Sequence, residues 1–207
     1  MTNTDALRPL EAGAKPGVED TRLRILAATR ALYACKGSRG TTTREVADGA
    51  NVNEATLFRH FGTKQQLIAA MLEHYSAAVD LPGLIERLGD VPTIEEQLRI
   101  IAASSIESMK RNQDLIKVSM AEELANPDGS NCAWRAPAQA RRHLTKFFEE
   151  KVSGGELRGD AEWLSRVFLS LLFAFVMARK IWADANLSPE VAAKNMVEIF
   201  LNGARPR

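Results

Sequence analysis

"TTTREVADGANVNEATLFRHFGTK", residues 41–64, decides how the rest of the chain is read. Thr42 and Glu45 stand three apart, the spacing of a capping box in which each side chain satisfies the other's exposed backbone N–H. Asn53, a favoured residue at a helix start, opens "NEATLFRHF". Thr63 and Gln66 repeat the capping spacing at the head of a long amphipathic run. Val46 and Ala47 face inward on the first of these helices, and Leu57 and Phe61, four apart, share one face of the second. Between them "GANV" must reverse the chain within a few residues while Val52 plugs the core. Such a helix–turn–helix usually has glycine where φ is positive. Asn51 stands there instead, the non-glycine residue that best tolerates left-handed backbone.

With Leu57 and Phe61 inward, the helical wheel turns Ala55 and Arg59 outward, with Glu54 and Phe58 on the flanks. A small residue at Ala55 lets the helix enter a groove closely, and Arg59 is long enough for a phosphate or a guanine edge. Thr42, Thr43, His60 and Lys64 cluster at the helix ends, where hydroxyls, cations and free N–H groups position phosphates. Each residue also has a plainer reading: Thr42 doubles as a cap, and His60 bridges helices.

Charge along the 207-residue chain agrees with a DNA-facing segment even though the net charge is only +1. Residues 21–65 hold eight basic and three acidic side chains, whereas 66–207 hold 17 basic and 19 acidic. A basic N-terminal module therefore precedes a slightly acidic body. Cys35 and Cys132 match no metal spacing and read as reduced structural thiols. His74 and His143 have no second ligand at metal spacing, so neither metal nor cofactor is expected. Residues 1–17 are small, polar and proline-containing, which reads as a flexible arm without the apolar core of a secretory signal. "VFLSLLFAFVMA" (167–178) is too short to span a bilayer and reads as a buried helix, so a cytoplasmic protein without membrane contact is expected.

Almost every other segment reads as helix. "TRLRILAATRALYACKG" puts Ile25, Leu26, Leu32 and Tyr33 on one face, with Gly37 where a left-handed C-cap belongs. Breaks at "DLPGL", "GDVPT", "NPDGSN", "SGGELRGD" and "DANLSPE" separate four or five helices beyond the one that starts at Thr63. The expected fold class is all-α: a three-helix, helix–turn–helix head over 18–64, then a larger helical bundle over 65–207.

The stretch "KGSRGTTTREVADGANVNEATLFRHFGTKQQLI" resembles the N-terminal domain of the tetracycline-repressor (TetR-like) family of bacterial transcriptional regulators. The family's places are held here by Gly37, Thr41 and Thr42, Val46 and Ala47, Asn51-Val52-Asn53, Thr56-Leu57-Phe58-Arg59-His60-Phe61, and Lys64, and the likeness runs from 21 to 68 with correct spacing. Three positions depart from it: Phe58 replaces the common tyrosine, Asn51 replaces glycine, and Ser38 stands where an aromatic residue is usual. The resemblance implies phosphate contacts from Thr42, Thr43, Phe58, His60 and Lys64. It implies base-proximal places for Arg44, Asn53, Glu54, Ala55 and Thr56, with Glu54 able to accept from a cytosine amino group.

A single module of this kind touches few bases, and a dimer would set two of them in successive major grooves of a palindromic operator. The segments 160–185 and 188–204 read as two consecutive helices, the first apolar over more than one face and so in need of cover on two sides. The resemblance implies that this pair forms an intermolecular four-helix bundle, with Phe168, Leu172, Phe175, Val197 and Phe200 as candidate homodimer contacts. It also implies a small-molecule effector held by the middle helices, with Met71, Met109, Met120, Trp134, Phe147 and Phe173 as candidate lining. Methionine and aromatic side chains suit an adaptable apolar cavity, and they suit an ordinary core equally. A helical enzyme is the competing class, but the sequence has no glycine-rich phosphate loop, nucleophile elbow, His-Glu-x-x-His or paired Glu-x-x-His. A structural dimer whose basic head meets another acidic partner remains open, as does activation in place of repression.

Overall fold

The computed structural model describes residues 18–76, 81–125, 135–178 and 187–204, and among these the chain is helix and connecting loop with no strand. In chain order the helices are α1 (Val18–Gly40), α2 (Thr43–Gly49), α3 (Glu54–Phe61), α4 (Lys64–Ser76), α5 (Leu81–Glu86, followed by a 3-10 turn at Arg87–Asp90), α6 (Ile94–Arg111), α7 (Gln113–Ala125), α8 (Arg135–Ser153), α9 (Ala161–Ala178) and α10 (Pro189–Ala204). The 1–17 arm, Cys132 and Trp134 lie outside the described residues.

Local chemistry sets the head. Thr42 and Glu45 form the complete capping box at α2, and Thr63 and Gln66 exchange the same two bonds before α4. Asn53 Oδ1 accepts from Thr56 N–H at 2.7 Å to open α3. Asn51 has φ 52°, the left-handed backbone expected of the turn. Gly37 also has positive φ (66°), as expected, and with ψ −172° it interrupts α1 there, after which one more turn carries the chain to Gly40.

Two apolar cores follow. The head core joins Ile25, Leu26 and Tyr33 of α1, Val46 and Ala47 of α2, and Leu57 and Phe61 of α3. Leu67, Ile68, Met71 and Leu72 of α4 belong to the same cluster, as does Leu115 of α7. Packing therefore carries the head past residue 64 and draws in one helix from the body. The body core centres on Phe148, Phe168 and Phe200, whose ring centroids lie 5.2–5.9 Å apart in edge-on or tilted contact. Such pairs add roughly 0.5–1.5 kcal/mol each beyond their burial. Phe147 joins the same aromatic group, 5.6 Å from Phe148.

Six helices follow α4 among the described residues, where four or five were expected. The extra break is at Asn112, between α6 and α7, where no glycine or proline marks it. Asn112 leaves helical geometry at φ −110° and ψ 18°, and its amide donates to Ser108 O and Tyr75 O. "DLPGL" proves to start a helix, not only to break one: Pro82 sits in the first turn of α5, where its missing N–H costs nothing.

Candidate nucleic-acid interface

The expected DNA-facing residues lie on α2, α3, the turn between them and the start of α4. Arg44, Ala55, Phe58 and Arg59 are exposed, with Phe58 at 41% relative exposure. Apart from Arg22, which lies over the Phe61 ring, the cations of the head fall into two groups. Lys36 pairs with Glu45 at 2.6 Å, Arg30 with Asp114 at 3.2 Å, and Arg24 lies 3.9 Å from Asp20. Arg39, Arg44, Arg59 and Lys64 have no ion pair or hydrogen bond among the described residues. Three of those four lie on α2, α3 and α4. Positive charge on this surface is thus left uncommitted, as phosphate binding requires.

The threonines are more occupied than the sequence suggested. Thr42 Oγ1 accepts from Glu45 N–H at 3.2 Å and donates to Glu45 Oε2 at 3.0 Å. Thr43 Oγ1 donates to Glu54 Oε2 at 2.6 Å, tying α2 to α3. Neither hydroxyl has a proton left for a phosphate in this arrangement. Both threonines therefore build the interface before they touch anything, and Glu54 is held as Thr43's acceptor. Asn53 spends its oxygen on the α3 cap and keeps its amide donors. The Glu45 carboxyl is held below its ordinary value of 4.5, first by the Lys36 ammonium, then by the Thr42 hydroxyl and amide.

An open, largely polar cleft of about 520 Å³ lies between the start of α1 and α3, lined among others by Arg24, Asn51, Asn53, Thr56, Arg59 and His60. Arg24 was not singled out in the sequence. Its guanidinium donates to Ala50 O at 2.8 Å, capping the C-terminal end of α2 immediately before Asn51. The two residues are 26 apart, so nothing local in the sequence signals the bond. Arg22 lies over the Phe61 ring at 4.7 Å, and His60 packs its ring beside Phe61 at 6.2 Å.

The proposed lining and dimer residues are dispersed. Met71, assigned to an effector pocket, is fully buried in the head core, because α4 packs that face against α1. Phe147 is in the aromatic core of the body and Met109 packs against that core, while Met120 and Phe173 are half-buried. Trp134 lies outside the described residues. Phe168, Leu172, Val197 and Phe200 are buried within the chain's own core, so they cannot form a contact surface, and Phe175 packs against that core half-buried. The physical reason is that α9 has two apolar faces, with Phe168 and Leu172 on the inner one, and α10 turns Val197 and Phe200 into the same core. The outer face of α9 carries Trp163 (67% exposed) and Val167 (45%), and α10 adds Ile199 (69%). Over Ala161–Ala178 the mean hydropathy is 1.6, enough by composition and length for a membrane span, yet the inner face of α9 is core.

Comparison with known proteins converges on one reading. The family described as "Bacterial regulatory proteins, tetR family" matches residues 25–71, which hold the helix–turn–helix and most of α4. The HTH-type transcriptional regulator YvkB of Bacillus subtilis is 30% identical over 187 residues, covering 88% of this chain and 96% of YvkB. The chain belongs to the TetR family. As a TetR-family protein it is a DNA-binding transcriptional regulator and not an enzyme. Among solved structures, a TetR-family regulator of Mesorhizobium loti superposes with a TM-score of 0.71 at 21% identity, covering 91% of this chain and 98% of that one. The regulator FadR of Bacillus subtilis, solved in complex with stearoyl-CoA, superposes with a TM-score of 0.69 at 14% identity, covering 87% and 98%. Both likenesses are of fold.

Proposed function

We propose that this regulator is a ligand-responsive repressor that binds a palindromic operator as a homodimer and leaves it when a small-molecule effector binds. The observation that carries the DNA part is the set of uncommitted cations, Arg44, Arg59 and Lys64, on a capped helix–turn–helix whose other cations are mostly paired within the protein. In this reading Arg59, His60 and Lys64 hold phosphate, with the Phe58 ring against the sugar. Arg44, Asn53, Ala55 and Thr56 stand next to base edges. Thr42, Thr43 and Glu54 act chiefly by fixing α2 against α3. Residues 18–64 form the DNA-binding domain, and 65–207 the effector-binding and dimerisation domain, with α4 shared between them.

The dimer uses the outer face of α9 with α10. A shallow groove of about 350 Å³ runs along Trp163, Arg166, Val167, Ser170, Leu171 and Ala174, and the small residues in it allow a partner helix to approach closely. The effector is a small apolar or amphipathic molecule, and FadR's stearoyl-CoA is one example of that class in a protein of the same fold. Gln97 on α6 supports a polar anchor in the body. Only 7% exposed, it donates to Val91 O and Leu88 O, and its buried Oε1 has no partner among the described residues. Such an orphan acceptor is stabilised by a ligand donor. A cytoplasmic location follows from acting on DNA in a bacterial cell.

A salt titration of binding to duplex DNA tests this reading. Affinity that falls steeply with salt and differs between sequences supports it. Affinity that is indifferent to salt, or absent, contradicts it. Effectors are found as compounds that raise the melting temperature and weaken DNA binding together.

A further inference from the structure

We propose that Glu122, on α7 of the body, is the positioning residue that sets the DNA-facing start of α2. The proposal rests on the DNA-binding reading above. Glu122 Oε2 accepts from the Tyr33 hydroxyl at 2.7 Å, and Oε1 accepts from the backbone N–H of Ser38. Tyr33 is 1% exposed and its hydroxyl also lies 3.2 Å from Ser119 Oγ, one turn earlier on α7. Two consecutive turns of α7 thus grip the end of α1.

Glycine at position 37 is what lets the carboxylate in. A Cβ there would sit 2.7 Å from Glu122 Oε1, and φ is +66°. The Gly37 carbonyl then accepts from Thr41 N–H at 3.2 Å and from Thr41 Oγ1 at 2.7 Å. Thr41 is 1% exposed and immediately precedes Thr42, the N-cap of α2. The line runs from Glu122 to the Ser38 N–H, through the Gly37 carbonyl to Thr41, and from there along the backbone to Thr42 at the N-cap of α2.

The rest of α7 supports the same role. Asp114, Leu115, Val118, Ser119 and Glu122 recur at helical spacing on one face, and each touches the head. At its start, Gln113 Nε2 donates to Val176 O of α9 at 2.9 Å. Helix α7 therefore joins the helix that carries the proposed dimer face to the helix that precedes the DNA-binding pair. A shift in the body reaches α2 through Glu122 without passing along α4.

The test uses the full-length protein, a duplex enriched from a random pool by the unaltered protein, and a scrambled duplex of equal length. Glu122→Gln keeps the shape but turns one acceptor into a donor facing Ser38 N–H or the Tyr33 hydroxyl. The expected result is a loss of about tenfold in affinity for the enriched duplex, with affinity for the scrambled duplex and its salt slope unchanged. Amide exchange of residues 41–44 should rise in the same variant. If Glu122→Gln does not fold, Tyr33→Phe removes only the hydroxyl donor and should give the same selective loss on a smaller scale. Unchanged affinity for the enriched duplex, or equal loss on both duplexes, overturns the proposal. Arg59→Ala is the control for the reading beneath it: if that change leaves both affinities intact, the DNA interface itself is misassigned.

Discussion

At Asn51 the chain accepts a left-handed residue without glycine, and two neighbours make that tolerable. Asn51 N–H donates to Asp48 O at 3.1 Å, and Arg24 holds the carbonyl of Ala50 just before it. A β-branched side chain has no such latitude. Asn51→Val should destabilise the fold by about 1–2 kcal/mol, while Asn51→Gly should change it by under about 0.5 kcal/mol, as measured by urea unfolding. Glu45 gives a pH prediction at the same scale. Its folded pKa lies below its ordinary 4.5, so its contribution to stability is complete above about pH 4.5 and is lost as pH falls through the lower folded value. Glu45→Gln should therefore flatten the acid limb of a melting-temperature profile and leave the profile above pH 6 nearly parallel to the parent. For binding, Lys64→Ala should weaken all duplexes alike and reduce the salt slope by about 0.9, whereas Arg44→Ala should relax base preference. Equal loss on cognate and scrambled duplexes in the Arg44 variant would contradict its assignment. The caps and the turn were legible because each is a matter of residues three or four apart. The Thr43–Glu54 bond and the Arg24–Ala50 bond were not, because they form only after helices pack.

Among the elements, α9 is the instructive one. Its sequence announces two apolar faces but does not say which faces inward. Phe168, Leu172 and Val176 lie inward with Ser165, whose hydroxyl meets Thr145 at 2.8 Å. Trp163, Val167, Ser170 and Ala174 lie outward. The two faces predict opposite phenotypes. Phe168→Ala, which opens the aromatic core from the inner face, should cost about 3–5 kcal/mol in unfolding free energy and leave association unchanged where the protein still folds. If the proposed dimer forms through this face, Trp163→Glu should convert it to monomer by sedimentation while changing unfolding of the monomer little. A Trp163→Glu protein that stays dimeric would remove α9 from the interface. The break at Asn112 shows the limit of reading punctuation from residue type: it is made by a side chain that bonds Tyr75 O on α4, a partner 37 residues away.

Across the whole molecule, the head and body are not joined by α4 alone. Leu115 of α7 is part of the head core, and Arg30 of α1 reaches Asp114 and the Arg111 carbonyl. The architecture of a helix–turn–helix head on a helical bundle could be read from caps and periodicity, since both are local. The route between head and body, and the sorting of aromatic residues into core rather than pocket or interface, depend on long-range packing that no single stretch encodes. An effector that shifts the body can act on DNA only through its differential affinity for two head arrangements. In the proposed dimer, paired heads read a palindrome. Selecting bound sequences from a random duplex pool tests this most directly. Paired heads should enrich an inverted repeat whose half-sites are centred about one helical turn, 34–36 Å, or a multiple of it apart. Enrichment of an unpaired single site, or of no sequence at all, would contradict it.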